Sequence, residues 1–272
     1  MSIQKDDQGR PRVETEVEIQ ATPEAIWKAI ATGPGIKSWF MGMESEFDEQ
    51  VGGEVRTKMG DKMIPIAKVT AWDPPHHFAT KGSFAFGPGS PDIGYEWTIV
   101  AKGGGKCVLR MVQTLFSEDD AWDTQVGDTK AGWPAFFHVL RNYVERHAEE
   151  PSGVVQAMGP VPGEKDEAFE RLTAALGITE LAKGASVDCK ADGVPAISGV
   201  IEDVVHGRSN RIMVRLEKPF VGTGWIGVGP IGGNMTAIVT MYYYGEGAAE
   251  GSARDHAQLT EWLQGHGETV SS

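Results

Sequence analysis

The stretch GWPAFFHVLRNYVERH, Gly132 to His147, sets the reading of the chain around it. Phe136, Phe137, Leu140, Tyr143, Val144 and His147 recur at the spacing of one helical stripe, so this is an amphipathic helix with an apolar face to bury. What precedes it is mostly strand. Lys106–Phe116 puts Cys107, Leu109, Met111, Gln113 and Leu115 on one side, and Asp92–Val100 does the same with Ile93, Tyr95, Trp97 and Ile99. Gly103-Gly104-Gly105 between them reads as a hairpin turn. Further upstream, Phe78–Phe86, Ile64–Trp72 and Glu54–Met59 are strands, with Asp73-Pro74-Pro75 as a stop because proline cannot donate to a ladder. Val13–Ile19 alternates Val13, Thr15, Val17 and Ile19 against three glutamates. After it, Thr22 caps a helix over Pro23–Ala31, which Gly33-Pro34-Gly35 ends, and a second short helical segment carries Ile36, Trp39 and Phe40. Strand, helix pair, antiparallel strands and closing helix give a segregated α+β order: an antiparallel sheet wrapped around a long C-terminal helix.

Glu149–Gly163 (EEPSGVVQAMGPVPG) is rich in proline and glycine and reads as a linker. Beyond it the pattern restarts. Glu167-Ala168-Phe169 echoes Glu24-Ala25-Ile26, and Gly232-Gly233-Asn234 echoes Gly104-Gly105-Lys106. Leu259, Trp262 and Leu263 fall where Leu140, Tyr143 and Val144 fall in the first closing helix. The expected organisation is a domain over 1–148, a linker over 149–163 and a second, degenerate copy of the same fold over 164–272.

Length agrees: 272 residues at about 150 per domain suggest two domains or one large one. The net charge is −13, from 25 basic and 38 acidic residues, and the two halves share it evenly. Such a surface repels phosphate backbones and anionic lipid, so neither nucleic acid nor a membrane is an expected partner. A small apolar or cationic ligand, or a protein partner, stays open. No uninterrupted apolar run approaches the roughly 20 residues that span a bilayer. The opening MSIQKDDQGRPRVETEV has no apolar core of a secretory signal, which points to the cytoplasm, with Cys107 and Cys189 as reduced, buried thiols.

Catalytic signatures are scarce. His-Glu-x-x-His, Cys-x-x-Cys and Gly-x-Ser-x-Gly are absent from the sequence, so no catalytic residue, metal ligand or cofactor is assigned. Gly222–Gly227 spells Gly-x-Gly-x-x-Gly, but Val228-Gly229-Pro230 follows, so no helix can start there to face a pyrophosphate. His76-His77 reads as a solvated turn, and Glu96 and Arg110 as a cross-strand ion pair on the solvent side.

Four stretches carry a family resemblance: VEIQATPEAIWKAI (Val17–Ile30), GGEVRTKM (Gly52–Met59), IAKVTAWDPPHHF (Ile66–Phe78) and GWPAFFHVLRNYVE (Gly132–Glu145). In order and spacing they resemble the SRPBCC superfamily, the START-like or helix-grip fold. Within it, the branch of heat-shock-protein ATPase activator homologues is similar. The resemblance covers about half the chain. It implies a mostly apolar cavity between sheet and closing helix, and binding of a small hydrophobic molecule there. Side-chain alternation then nominates Trp39, Phe40, Tyr95, Trp97, Met111, Phe137 and Leu140 as lining residues, with Met41, Met43 and Met59 nearby. Two other functions stay open under the same resemblance: a polyketide-cyclase-like enzyme, which needs inward polar groups, and a co-chaperone or regulatory partner. The scarcity of inward polar groups leans against an enzyme.

Overall fold

Threonine caps start both helices that follow the first long strand. Thr22 Oγ1 accepts from the Ala25 amide and Thr32 Oγ1 from the Gly35 amide, at 3.3 and 3.1 Å. Gly33-Pro34-Gly35 therefore opens the second helix as well as following the first, with Pro34 in the first turn, where its missing N–H leaves no bond unmade. The computed structural model describes residues 4–83, 91–117 and 123–268. The far end of the expected strand Phe78–Phe86 lies outside the described residues.

The chain divides into two units, Met1–Ala148 and Glu149–Ser272. In the first, the order is β1 (Gln4–Lys5), β2 (Pro11–Ile19), α1 (Pro23–Ala31), α2 (Gly33–Trp39), β3 (Ser45–Phe47), β4 (Glu54–Met59), β5 (Lys62–Asp73), β6 (His77–Gly82), β7 (Ile93–Gly103), β8 (Lys106–Leu115) and α3 (Asp123–Arg146). All pairings are antiparallel, in the sheet order β1-β2-β8-β7-β6-β5-β4-β3. The first long strand thus closes against the last. The apolar stripe of α3 packs on β2 and on α1 and α2, which buries Phe137, Leu140, Tyr143 and Val144.

The second unit runs β9 (Ser152–Pro160), α4 (Lys165–Ala175), β10 (Ser186–Asp188), β11 (Ser198–Val205), β12 (Asn210–Lys218), β13 (Gly222–Ile231), β14 (Asn234–Tyr244) and α5 (Ala248–Glu268). Its sheet order is β10-β11-β12-β13-β14-β9, again with first strand against last and a helix closing over them. Its strands follow the same order as those of the first unit, with fewer of them. The closing hairpins match: Gly103 pairs with Lys106 across Gly104-Gly105, and Ile231 with Asn234 across Gly232-Gly233. All four turn glycines have positive φ, the requirement of the tight hairpin turn that follows strand twist. Leu259, Trp262 and Leu263 are buried, in the same phase as Leu140, Tyr143 and Val144.

One expectation needs correction. Residues 152–160, read as part of a linker, form strand β9, which pairs with β14 from Ser152↔Tyr244 to Pro160↔Thr236. Its glycines serve packing. A Cβ at Gly159 would lie 2.7 Å from Leu263 Cβ, and one at Gly153 would strike the Ala248 carbonyl oxygen, so α5 rests directly on this strand. The Gly-x-Gly-x-x-Gly run lies inside β13, where a Cβ at Gly222, Gly224 or Gly227 would collide with the backbone of a neighbouring strand. These glycines answer to strand packing. Both cysteines are buried and free. Among the described residues no helix is long and apolar enough to cross a membrane.

Candidate functional site

Trp133, near the middle of α3, is the hub of an aromatic cluster between helix and sheet. Its ring centroid lies 5.9 Å from both Trp97 and Phe137, 6.0 Å from Tyr95, and 5.7 Å from Phe40, on which it stacks. Trp97 stacks on Phe137 at 6.0 Å and meets Trp39 edge-on at 6.2 Å. Trp39 is pinned from behind, its indole N–H donating to the Ala29 carbonyl at 2.9 Å. Phe40 tilts against Phe136 at 4.9 Å.

The structure therefore brings Trp39, Phe40, Tyr95, Trp97 and Phe137 together. Met111 is the register partner of Trp97 on the adjacent strand and is fully buried. Leu140 is buried one turn further along α3. Phe40 and Tyr95 are only half-buried, as is Phe136. Three residues of the cluster were absent from the nominated set: Phe136, Trp133 and Gln113. Trp133 stands three and four residues before Phe136 and Phe137, so it belongs to the same stripe. Gln113 is the polar member of an otherwise apolar strand face, and its side-chain carbonyl accepts the Trp133 indole N–H at 2.8 Å. The methionine expectation needs correction: Met41 and Met59 are exposed at 42% and 45%, because Met41 follows the end of α2 and Met59 sits at the β4–β5 turn.

Burial pushes the Tyr95 phenol up to about 12. The charged groups lie on the other side of the sheet. Arg110 and Glu96 do not pair with each other. Arg110 Nε meets Glu14 Oε1 at 2.5 Å across the β2–β8 ladder, and Glu96 Oε1 meets His77 Nε2 at 3.0 Å across β6–β7. Register decides this: Val112 stands opposite Glu96, two residues beyond Arg110, which faces Thr98. Among the described residues no group of three His, Cys, Asp or Glu side chains could hold a metal. A separate groove of about 420 Å³ runs between the α1–α2 junction and β3, past Thr32, Pro34, Ser45 and Phe47. Its cation, Arg56, is already paired with Asp48 at 2.6 Å and flanked by Glu46 and Glu54.

Residues 20–145 match the model of the family described as activator of Hsp90 ATPase homolog 1-like protein. An uncharacterized protein of Mycobacterium tuberculosis is 30% identical over 108 residues, which span 36% of this chain and 73% of that protein. Among solved structures, protein MLL2253 from Mesorhizobium loti is 25% identical, covering 50% of this chain and 97% of that one at a TM-score of 0.42. The di-domain ARO/CYC BexL from the BE-7585A biosynthetic pathway is 13% identical, covering 94% and 98%, also at 0.42.

Proposed function

We propose, for a chain that belongs to the family of activator of Hsp90 ATPase homolog 1-like proteins, that the first unit binds a small hydrophobic molecule between its sheet and α3. The carrying observation is the unsealed edge of the aromatic cluster. Phe40, Tyr95 and Phe136 keep accessible surface while packing on the buried ring of Trp133. Aromatic rings that keep some surface yet are held at fixed angles offer stacking area at little entropic cost. Tyr95 adds to this: a side chain that retains surface while its phenol is desolvated belongs to a recess and not to the open exterior. Nothing in the cluster resembles a nucleophile and base, so binding is the reading and not catalysis. Two buried free thiols fit a reducing compartment, in keeping with a cytoplasmic protein.

The test is titration with the neutral dye N-phenyl-1-naphthylamine, read by fluorescence. Trp97→Ala and Phe137→Ala, checked for folding by circular dichroism, should each weaken uptake by up to about tenfold, the worth of a lost aromatic pair. His76→Ala and His77→Ala should leave it unchanged. Equal loss in His77→Ala would move the site to the β5–β6 turn. A wild type that takes up no dye would defeat the binding reading and favour a protein partner.

A further inference from the structure

Gln113 is 2% exposed, and its side-chain nitrogen Nε2 has no hydrogen-bond partner among the described residues. The orientation of this amide is settled by chemistry. The indole N–H of Trp133 can only donate, so the group 2.8 Å from it must be the amide oxygen, which leaves the NH2 as the unsatisfied end. A buried donor without an acceptor is unfavourable, and such groups are rare in folded proteins unless something else completes them. Gln113 also lies directly opposite Tyr95 in the β7–β8 ladder, a half-buried residue at the edge of the aromatic cluster. The unmet donor thus sits beside the recess, held in place by the cluster's own hub.

We infer that Gln113 Nε2 is the polar anchor of the site, and that the ligand is an aromatic-sized apolar molecule bearing a hydrogen-bond acceptor, such as a ketone or quinone carbonyl. This rests on the proposed binding site and deepens it. Trp133 acts as a positioning residue: by occupying the amide oxygen it presents the NH2 and keeps the site from welcoming a donor in the same place. An acceptor-bearing ligand regains the missing bond, whereas a hydrocarbon of equal size leaves it unmade.

The experiment compares 2-acetylnaphthalene with 2-ethylnaphthalene, which match in size and differ in the carbonyl. Quenching of tryptophan fluorescence reads both affinities. The wild type should prefer the ketone by about two- to twelvefold, the range of one net hydrogen bond. Gln113→Met keeps the length and removes the donor. It should bind the hydrocarbon within about twofold of wild type and bring the ketone-to-hydrocarbon ratio to about one. A ratio that persists in Gln113→Met, or a wild type without ketone preference, overturns the anchor while leaving the apolar site standing. Failure of both probes to bind the wild type overturns the site and the anchor together. Should Gln113→Met not fold, the wild type alone decides by nuclear magnetic resonance. The Gln113 side-chain NH2 signals should move with the ketone and not with the hydrocarbon. Equal movement, or none while both probes bind, overturns the assignment.

Discussion

One rung of the sheet separates the two units. In the first it runs Val13, Gln113, Tyr95; in the second, counted from the matched hairpin turns, it runs Val155, Met241, Gly224. The strand beneath the closing helix differs likewise. Pro11, Val13, Thr15 and Val17 of β2 correspond in register to Gly153, Val155, Ala157 and Gly159 of β9. Small side chains let α5 settle onto its sheet, over a hydrophobic core that includes Leu259, Leu263 and Met241 with Phe169, Tyr243 and Trp262. The buried carboxylate of the second unit, Asp255, has both oxygens engaged. Tyr243 donates its hydroxyl proton to Asp255 Oδ2 at 3.0 Å, and Arg254 Nε donates to Oδ1 at 2.7 Å. The first unit keeps larger residues under its helix and a ring cluster with half-buried members beside the Gln113 amide; buried polar atoms without a partner occur in both units, in the second at Asn210, Thr240 and Thr260. The same topology thus carries a closely seated helix in one unit and an aromatic cluster with half-buried rings in the other, and the difference lies in side-chain volume at a few rungs.

The largest expected effect tests that contrast directly. Leu259→Ala should destabilise the second unit by about 2–5 kcal/mol, the usual loss for a tightly packed leucine. Leu140→Ala, at the equivalent place in the first closing helix, should cost less if free space lies beside it, and added dye should then change its stability further. Hydrogen exchange read by mass spectrometry reports each unit through its own peptides. Equal losses, both indifferent to dye, would remove the distinction drawn between the two units.

A second substitution probes the seat of α5. Gly159→Val would place its Cβ among Leu263 atoms 2.7–2.8 Å away. The overpacking should cost about 1–3 kcal/mol. Val17→Ala, at the corresponding register in β2, should cost less, since Val17 is only half-buried. Urea unfolding of the two variants ranks them, and a tolerant Gly159→Val would show that α5 can lift from its strand.

Smaller, and predicted equal in the two units, is the effect of Gly104→Ala and Gly232→Ala. Their φ angles are +63° and +58°, and a Cβ at either would meet nothing within 4 Å. Only the left-handed backbone is penalised, by about 1–2 kcal/mol at each site. Thermal melts that differ widely between the two would break the equivalence of the hairpins.

The last prediction concerns pH. Burial alone raises the Tyr95 phenol, whereas Tyr243 is raised by burial and by the nearby Asp255 charge. A raised phenol means the folded state holds its proton longer than the unfolded chain. Its contribution is therefore complete below pH 10, the ordinary tyrosine value, and is lost as pH climbs towards about 12 for Tyr95. Tyr95→Phe should flatten the fall in stability over that window. Asp255→Asn should bring Tyr243 titration down and leave Tyr95 unmoved, as followed by ultraviolet difference spectra. A shift of Tyr95 in Asp255→Asn would contradict the separate origins of the two.

Local periodicity carried most of the elements. The stripe around Leu140, the alternation in β7 and β8 and the Thr22–Pro23 helix start depend on residues within a few positions of one another, and each stands where it was expected. Strand β9 did not declare itself, because its glycines and prolines look like a linker until β14 pairs with it and α5 presses on it. The ion pairs went to Glu14 and His77 since register, and not residue type, chooses neighbours. Five members of the aromatic set were legible as inward positions, but the site's polarity was not. That an indole on α3 would take up the oxygen of Gln113 and leave its nitrogen unmet depends on two elements meeting at 2.8 Å. A sequence states which groups can donate and accept; only the packed chain decides which of them are left without a partner.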